Sequence, residues 1–249
     1  TFVSADELIT FTITSVVPYI ADDAATKEFI IYDKPENLKN LVLTGATIGD
    51  EKIAASLSDP DNDVYSVDLM DYLNTVNIGE EVVLTLTANV DGAQGYVNTA
   101  WSNRVTDEND YSVVKGYTGS FTLTKVDVND STKTLEGAKF SVATSADEDA
   151  KALSFVKVND GIYTLADTSV SEDVTVVTEV EVASDGTVKV QGLAEGTYYI
   201  TETQAPEGYA INESIEPVTI TPEYEDETAV VPVAKAHVNL TGDKYVVKD

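Results

Sequence analysis

One short segment, Tyr198–Tyr209, constrains the fold most, because it joins a strand pattern directly to a rigid turn. Tyr198, Ile200 and Glu202 occupy every second position, and such residues point to the same face of a strand. A carboxylate is therefore aligned with apolar side chains that face a core. Burial of a charge is costly unless the charge is paired or neutralised. The pattern thus predicts a specific partner for Glu202.

Period-two patterns recur along the chain and favour an all-β fold. They are rich in Thr, Val, Ile and Tyr, and Gly, Asp and Asn separate them. The clearest runs are Leu8–Thr14, Val82–Thr87 and Phe121–Lys125. Short strands at regular spacing predict two tandem immunoglobulin-like β-sandwich domains. Two weaker patterns, Leu38–Leu43 and Val67–Leu73, predict short helical turns between strands.

Composition excludes several classes of function. The 249 residues suffice for two domains. Fifteen basic residues against 44 acidic ones give a net charge of −29, which argues against a nucleic-acid partner because phosphate binding needs clustered Lys and Arg. No apolar run is long enough to span a bilayer, so we expect no membrane insertion in this segment. The absence of cysteine excludes thiol catalysis and thiolate metal sites.

Two further patterns argue against metal binding and hydrolysis. The acidic segment Asp59–Asp63 resembles part of an EF-hand loop, but Val64 stands where that loop requires Gly and Met70 where it requires Glu. The single histidine, His237, has no serine or acid arrangement of a hydrolase around it, and no GxSxG elbow occurs. We therefore predict no metal site, no cofactor and no enzymatic turnover.

The domain boundary is expected near residues 111 to 118. The polar stretch Arg104–Asp110 precedes it, and Val113–Asp127 then begins a new strand pattern. We place the first domain at residues 1–114 and the second at 115–249.

Two segments resemble those of a known family of surface proteins. Tyr198–Tyr209 resembles the E-box of the collagen-adhesin B-type (CnaB-like) domains of sortase-assembled pilins and adhesins in Gram-positive bacteria. Val113–Asp127 resembles the passage that joins the middle domain of a backbone pilin to its C-terminal CnaB-like domain. The resemblance implies a pilin middle-type sandwich followed by a CnaB-like sandwich.

The resemblance also implies that Glu202 promotes an intramolecular isopeptide bond between Lys125 and Asn239. The residues themselves are consistent with this chemistry. Lys125 alternates with Phe121 and Leu123, so its amine is expected in the core, where desolvation favours the neutral, nucleophilic form.

The acceptor is expected on the last strand of the second domain. Asn239 occupies the same strand face as Lys235 and His237, which makes it the candidate to face Lys125. A protonated Glu202 would polarise the Asn239 carbonyl and shuttle protons, and a dry core would supply proximity. Asn212 is the rival acceptor, but it follows the turn instead of closing the domain.

For the first domain, the resemblance implies Asp33 as the promoting residue and Asn103 or Asn98 as the acceptor, with Asn103 favoured. No lysine precedes Lys27, so we expect the donor lysine to lie before Thr1. Without such a lysine, Asp33 would be an ordinary turn residue.

The function that the resemblance implies is structural. The chain would be part of the shaft subunit of an extracellular pilus anchored to the cell wall, and sortase-made links would join it to other pilin subunits. The alternative is the stalk of a surface adhesin or tip pilin that binds a host ligand.

Overall fold

The computed structural model describes residues 2–21, 24, 27–166 and 174–221, and the backbone of strand Lys235–Leu240. Within these ranges the regular elements are β-strands and two 3-10 turns, Met70–Tyr72 and Glu108–Asp110. The same ranges contain no helix that is long and apolar enough to cross a membrane. Four sheets build two β-sandwiches, which confirms the predicted fold class.

The chain divides into two compact units. The first unit comprises Glu7–Asp91 and Tyr96–Gly116, and the second comprises Thr1–Asp6, Gly92–Gly95 and Tyr117–Asp249. The expected division after residue 114 did not anticipate that residues 1–6 group with the second unit. Backbone hydrogen bonds explain this grouping, because the N–H groups of residues 3 and 5 donate to the carbonyls of residues 117 and 192, each at 2.8 Å.

The first unit is a sandwich of two four-stranded sheets with strand orders β1-β6-β3-β4 and β5-β2-β7-β8. Its strands are β1 (Leu8–Val16), β2 (Ile30–Glu36), β3 (Leu38–Ile48), β4 (Glu51–Lys52), β5 (Tyr65–Asp68), β6 (Glu81–Val90), β7 (Tyr96–Ser102) and β8 (Ser112–Gly116). Every second residue of β6 from Val82 to Val90 is fully buried. This period-two burial is what the strand pattern predicts, and it forms the centre of the core.

The helical turn predicted at Leu38–Leu43 is wrong, because the segment belongs to β3 and pairs antiparallel with β6. A bulge between Lys39 and Val42 interrupts the register, and Asn40 has a left-handed φ of 55°. A bulge breaks the alternation of side chains, so the sequence loses its strand pattern here. The second predicted turn is partly correct, since β5 ends at Asp68 and the 3-10 turn Met70–Tyr72 follows.

The second unit pairs a four-stranded sheet, in the order β14-β10-β16-β17, with a six-stranded sheet, in the order β13-β11-β12-β15-β9-β18. Its strands are β9 (Gly119–Lys125), β10 (Lys139–Ala143), β11 (Phe155–Asn159), β12 (Ile162–Leu165), β13 (Val176–Val177), β14 (Val180–Glu181), β15 (Thr187–Leu193), β16 (Gly196–Gln204), β17 (Ile215–Ile220) and β18 (Lys235–Leu240). Phe121, Phe140 and Phe155 lie at the centre of its core. Strand β18 runs parallel to β9 at the edge of the six-stranded sheet.

Candidate isopeptide centres

The core of the second unit contains the lysine and the glutamate that the sequence analysis selected. Lys125 ends β9, where it is buried with Phe121 and Leu123 and is 0% exposed. Glu202 is buried with Ile200 on β16 and is 4% exposed. The inward orientation predicted for both side chains is confirmed.

Lys125 and Glu202 form an ion pair across the sandwich. Lys125 Nζ lies 3.0 Å from Glu202 Oε1, and the two residues belong to different sheets. Burial lowers the pKa of Lys125 to about 8, although Glu202 opposes this effect. Burial also raises the pKa of Glu202, against the backbone N–H of Asn212 and the Lys125 amine. Both shifts favour the neutral amine and the neutral acid, which are the forms that amide formation requires.

The turn that follows β16 reaches back to the same carboxyl. Tyr209 N–H donates to Pro206 O at 3.1 Å, and Gly208 has the positive φ (81°) that a type II turn requires at its third position. Beyond this turn, the backbone N–H of Asn212 donates to Glu202 Oε2 at 2.6 Å. Both carboxyl oxygens of Glu202 therefore have a close neighbour.

The predicted acceptor, Asn239, lies on the strand adjacent to the one that carries the amine. In the parallel register of β18 and β9, Asn239 pairs with Thr124 and Leu240 pairs with Lys125. A register with Asn239 beside Lys125 would differ by one residue. The side chain of Asn239 lies outside the described part of the chain, so its role as acceptor stays a prediction.

The first unit buries a carboxyl–amide pair. Asn98 Nδ2 donates to Asp33 Oδ1 at 2.6 Å, and the two residues are 3% and 2% exposed. Asp33 lies on β2 and Asn98 on the neighbouring β7. Burial raises the pKa of Asp33 to about 6, although the hydrogen bond from Asn98 opposes the shift. Asp33 is therefore a core residue of the sheet and not a turn residue.

Asn98 also lines a cavity of about 370 Å³ between residues of β1, β7 and β8. Its lining includes Phe11, Ile13, Asn98 and Trp101. Asn98 Oδ1 and Asp33 Oδ2 are buried and accept no hydrogen bond from the described residues. Since buried polar atoms are normally satisfied, these two oxygens mark a site that suits a hydrogen-bond donor.

Asn103, the acceptor that the sequence analysis favoured, has other contacts. Its Oδ1 accepts the backbone N–H of Ile30 at 3.1 Å, and its Nδ2 donates to Glu28 O at 3.4 Å. Strand β7 ends at Ser102, so Asn103 closes the start of β2 instead of facing the core. The structure brings Asn98, and not Asn103, to Asp33.

A polar cluster that the sequence patterns do not predict lies next to the amine-bearing strand. Tyr209 OH donates to Asp127 Oδ2 at 2.7 Å, and Lys133 Nζ lies 3.2 Å from the same oxygen and 2.9 Å from the phenol. The contacts with Tyr209, the backbone N–H of Asn129 and Lys133 lower the pKa of Asp127 to about 2. Only the large sequence separation between Asp127 and Tyr209 hid this contact from sequence reasoning.

Metal binding gains no support from the described ranges. They contain no group of three or more His, Cys, Asp or Glu side chains that could hold an ion. The acidic segment Asp59–Asp63 runs into a tight turn, residues Asp61 to Val64, which two backbone hydrogen bonds close.

Comparisons with known proteins agree with this architecture. Residues 119–235 match a family profile described as "SpaA: Prealbumin-like fold domain", and no curated protein matches the chain. The pilus 2b backbone protein of group B streptococcus superposes with a TM-score of 0.65 at 20% identity, covering 96% of this chain and 94% of that one. The fold resembles that of Gram-positive backbone pilins.

Two other backbone pilins extend the resemblance. Domains D2 and D3 of the major pilin SpaD from Corynebacterium diphtheriae give a TM-score of 0.56 at 19% identity, covering 96% of this chain and 94% of that one. The 35 kDa C-terminal fragment of the major pilin GBS80 from Streptococcus agalactiae gives 0.60 at 18% identity, covering 95% and 94%. The likeness that the motifs predicted is confirmed at the level of the fold, over nearly the whole chain.

Proposed function

We propose that this chain forms the middle-type domain (residues 1–114) and the C-terminal CnaB-like domain (residues 115–249) of a pilus shaft subunit. One observation carries the proposal: the buried pair of Lys125 and Glu202, 3.0 Å apart, lies beside the strand of Asn239 in a backbone-pilin-like fold. The subunit would belong to an extracellular fibre anchored to the cell wall. Sortase-made links would join it to other pilin subunits.

The proposed reaction is a single self-modification of the second unit. The neutral Lys125 Nζ attacks Cγ of the Asn239 amide, while the protonated Glu202 donates its proton to the acceptor. The Cγ–Nδ2 bond breaks, ammonia leaves, and Glu202 recovers a proton from the attacking nitrogen. One Nζ–Cγ bond replaces one Cγ–Nδ2 bond, so the step needs no cofactor and no oxidant.

The bond would suit a fibre under tension. It would join the first and last strands of the sandwich, so that force applied to the two ends would bypass the hydrogen bonds of the core. By the chain-entropy argument, closing a loop of roughly 100 residues stabilises a fold by about 4 to 5 kcal/mol. Unlike a disulfide, an amide cannot be reduced.

For the first unit, we propose Asp33 as the promoting carboxyl and Asn98 as the acceptor. The hydrogen bond of 2.6 Å between them and their two unsatisfied buried oxygens support this assignment over Asn103.

The alternative function is a stalk segment of an adhesin or tip pilin. The resemblance to shaft subunits extends over both units, which favours the shaft. Immunogold labelling of intact cells with antibodies against this chain separates the two roles. A shaft subunit labels the fibre along its length, whereas labelling confined to the fibre tip would support the alternative.

Intact-mass measurement tests the proposed bond. The wild-type chain should lack the mass of one ammonia, and peptide mapping should join Lys125 to Asn239. Glu202→Ala should have its full calculated mass, whereas the exposed Glu207→Ala should keep the deficit. A wild-type protein of full mass would overturn the proposal. A second ammonia deficit would mean that a lysine within this chain completes the first-unit centre.

A further inference from the structure

The segment that connects β16 to β17 contains Asn212, a polar residue that is 4% exposed. Asn212 Oδ1 accepts two hydrogen bonds from Ser214, one from its backbone N–H at 3.0 Å and one from its hydroxyl at 2.8 Å. This arrangement is an Asx turn, in which an asparagine side chain fixes its own backbone. The backbone N–H of the same residue donates to Glu202 Oε2 at 2.6 Å.

We propose that Asn212 is a positioning residue for isopeptide formation, because its backbone N–H holds the Glu202 carboxyl in the orientation that reacts. The inference rests on the proposed Lys125–Asn239 bond and extends it to a residue outside the reacting set. Asn212 itself would form no covalent bond.

The need for such a residue follows from the torsions of glutamate. The terminal torsion of a Glu side chain has a broad, roughly two-fold distribution, so the strand position of Glu202 does not by itself fix its carboxyl plane. The N–H of Asn212 holds Oε2 at 2.6 Å, and Oε1 then faces Lys125 Nζ at 3.0 Å. One oxygen is anchored, and the other carries and passes the proton.

The same contacts argue against Asn212 as the acceptor. Its carbonyl oxygen already accepts both hydrogen bonds from Ser214, and these bonds stabilise the turn only while the side chain stays in place. An attack on its Cγ would place a new amide link within this turn. The geometry of the Asx turn therefore favours a role for Asn212 in positioning Glu202 over a role as the isopeptide acceptor.

The test compares rates of bond formation in the full chain. Each variant is made by cell-free synthesis, quenched at once in guanidinium chloride, refolded by dilution, and followed by intact mass at several pH values. Asn212→Ala removes the Asx turn, and we expect its ammonia loss to be about 10- to 100-fold slower, because displacing a reacting group by about 1 Å has costs of this size. Asn212→Asp keeps the turn acceptor and should recover most of the rate. The exposed neighbour Glu213→Ala is the matched control.

The pH profile distinguishes positioning from general loosening. The hydrogen bond from Asn212 stabilises the ionised Glu202 and so opposes the rise of its pKa. Asn212→Ala keeps this backbone N–H but no longer fixes its position through the Asx turn, so the hydrogen bond weakens. The carboxyl then stays protonated to higher pH, and the alkaline limb of the rate profile should move to higher pH. A variant that is only loosened would lose rate with an unchanged profile, and that result would overturn the inference.

The remaining outcomes are also decisive. If the wild type loses no ammonia, the proposed bond fails and the inference fails with it. If the wild type reacts and Asn212→Ala matches its rate and profile, only the positioning role fails. If Asn212→Asp loses one water instead of one ammonia, residue 212 is the acceptor.

Should Asn212→Ala not fold, Ser214→Ala provides a second test, since it keeps the backbone N–H bond to Asn212 and loses the hydroxyl bonds to Asn212 and Glu216. It should show a smaller slowing and the same shift to higher pH, and Glu216→Gln, which keeps the Asn212 turn, should match the wild type. A wild-type rate and profile for Ser214→Ala would overturn the inference.

Discussion

In the second unit, Glu202 faces the Lys125 amine at 3.0 Å, whereas in the first unit Asp33 faces the Asn98 amide at 2.6 Å. Burial raises the pKa of both carboxyls. The amine can neutralise a carboxylate charge, while the amide offers only a hydrogen bond. Burial therefore raises the pKa of the carboxyl in both units. Only in the second unit does the carboxyl also face an amine that could act as the nucleophile.

The two pairs also differ in the way they span the sandwich. Lys125 and Glu202 come from different sheets, so their contact ties the two layers together. Asp33 and Asn98 lie on neighbouring strands of one sheet, where Asp33 pairs with Ala100 and Asn98 with Pro35. They are diagonal neighbours on the same face. Their hydrogen bond therefore reinforces a single sheet and leaves the cavity side of the pair available to a further group.

The largest effect in this comparison is expected from removing the carboxyl of the second unit. Asn239→Ala should lose only the covalent bond, which is worth about 4 to 5 kcal/mol. Glu202→Ala should lose the bond and also leave the Lys125 amine buried without its carboxylate, a further cost of about 3 to 5 kcal/mol. Guanidinium unfolding followed by near-ultraviolet circular dichroism measures this order of stability.

The first unit provides an internal control. Trp101 is the only tryptophan of the chain and lies in the first unit, so its fluorescence reports the unfolding of that unit. Neither variant should move the fluorescence transition. Equal stability of Glu202→Ala and Asn239→Ala would contradict the strong coupling that we infer between the amine and the carboxyl.

The next effect concerns the charge of Asp33. Its folded pKa of about 6 lies above the ordinary value of 3.8, so the folded state disfavours the ionised form. This penalty is absent below about pH 4 and grows as pH rises toward about 6. It amounts to roughly 3 kcal/mol at neutral pH, since a pKa shift of one unit corresponds to about 1.4 kcal/mol. Asp33→Asn should therefore stabilise the first unit at neutral pH by up to about this amount.

Fluorescence of Trp101 in guanidinium measures the prediction. The wild-type first unit should gain stability on acidification from neutral pH toward about pH 5, and Asp33→Asn should lack this gain. Asp71→Asn, at an exposed position, should behave as the wild type. If Asp33→Asn retains the full acid-induced gain, another group is responsible for it.

A smaller loss should separate the two asparagines of the first unit. Asn98→Ala removes the hydrogen bond to a buried carboxyl and should cost about 1 to 3 kcal/mol. It should also extend the acid-induced stabilisation to higher pH, because the bond from Asn98 lowers the pKa of Asp33. Asn103→Ala, which removes two backbone contacts at a strand end, should cost about 1 kcal/mol and leave the pH dependence unchanged. A shifted pH dependence in Asn103→Ala would return that residue to the site.

The sequence predicts burial correctly where the alternation of side chains along a strand determines which residues face the core. The burial of Lys125 and of Glu202 followed from period-two patterns in β9 and β16. The same rule, applied to Tyr96, Asn98 and Ala100, would have placed Asn98 in the core. The family pattern of the closing strand favours Asn103, but this pattern does not show that the strand ends at Ser102.

The remaining features depend on contacts that local patterns do not encode. The bulge in β3 places an extra residue opposite β6. Asn40 lies in this bulge with a left-handed φ, so the side chains of the segment do not alternate regularly and the sequence shows no strand pattern there. The Asx turn at Asn212 becomes important only because the chain returns to Glu202 after the turn. Such contacts require the tertiary fold, since sequence separation gives no sign of them.

The smallest expected effect lies at the polar cluster around Asp127, a noncovalent tie between the start of the second unit and the turn after β16. The pKa of Asp127 in the folded state is about 2, below the ordinary 3.8. The cluster therefore stabilises the fold above about pH 4, and this stabilisation is lost as pH falls through about 2. Tyr209→Phe removes the hydrogen bond that contributes most to this shift and keeps the ring that Lys133 contacts.

In Tyr209→Phe, the folded pKa of Asp127 should therefore rise toward its ordinary value. Acid unfolding of the second unit should then begin at higher pH than in the wild type, while the Trp101 transition of the first unit should stay in place. The shift should be modest because Asp127 keeps its contacts with the backbone N–H of Asn129 and with Lys133. Because Asp127 follows Lys125 by two residues, coincident acid profiles for the two proteins would show that β9 is held by the core and the proposed cross-link alone, without help from the turn.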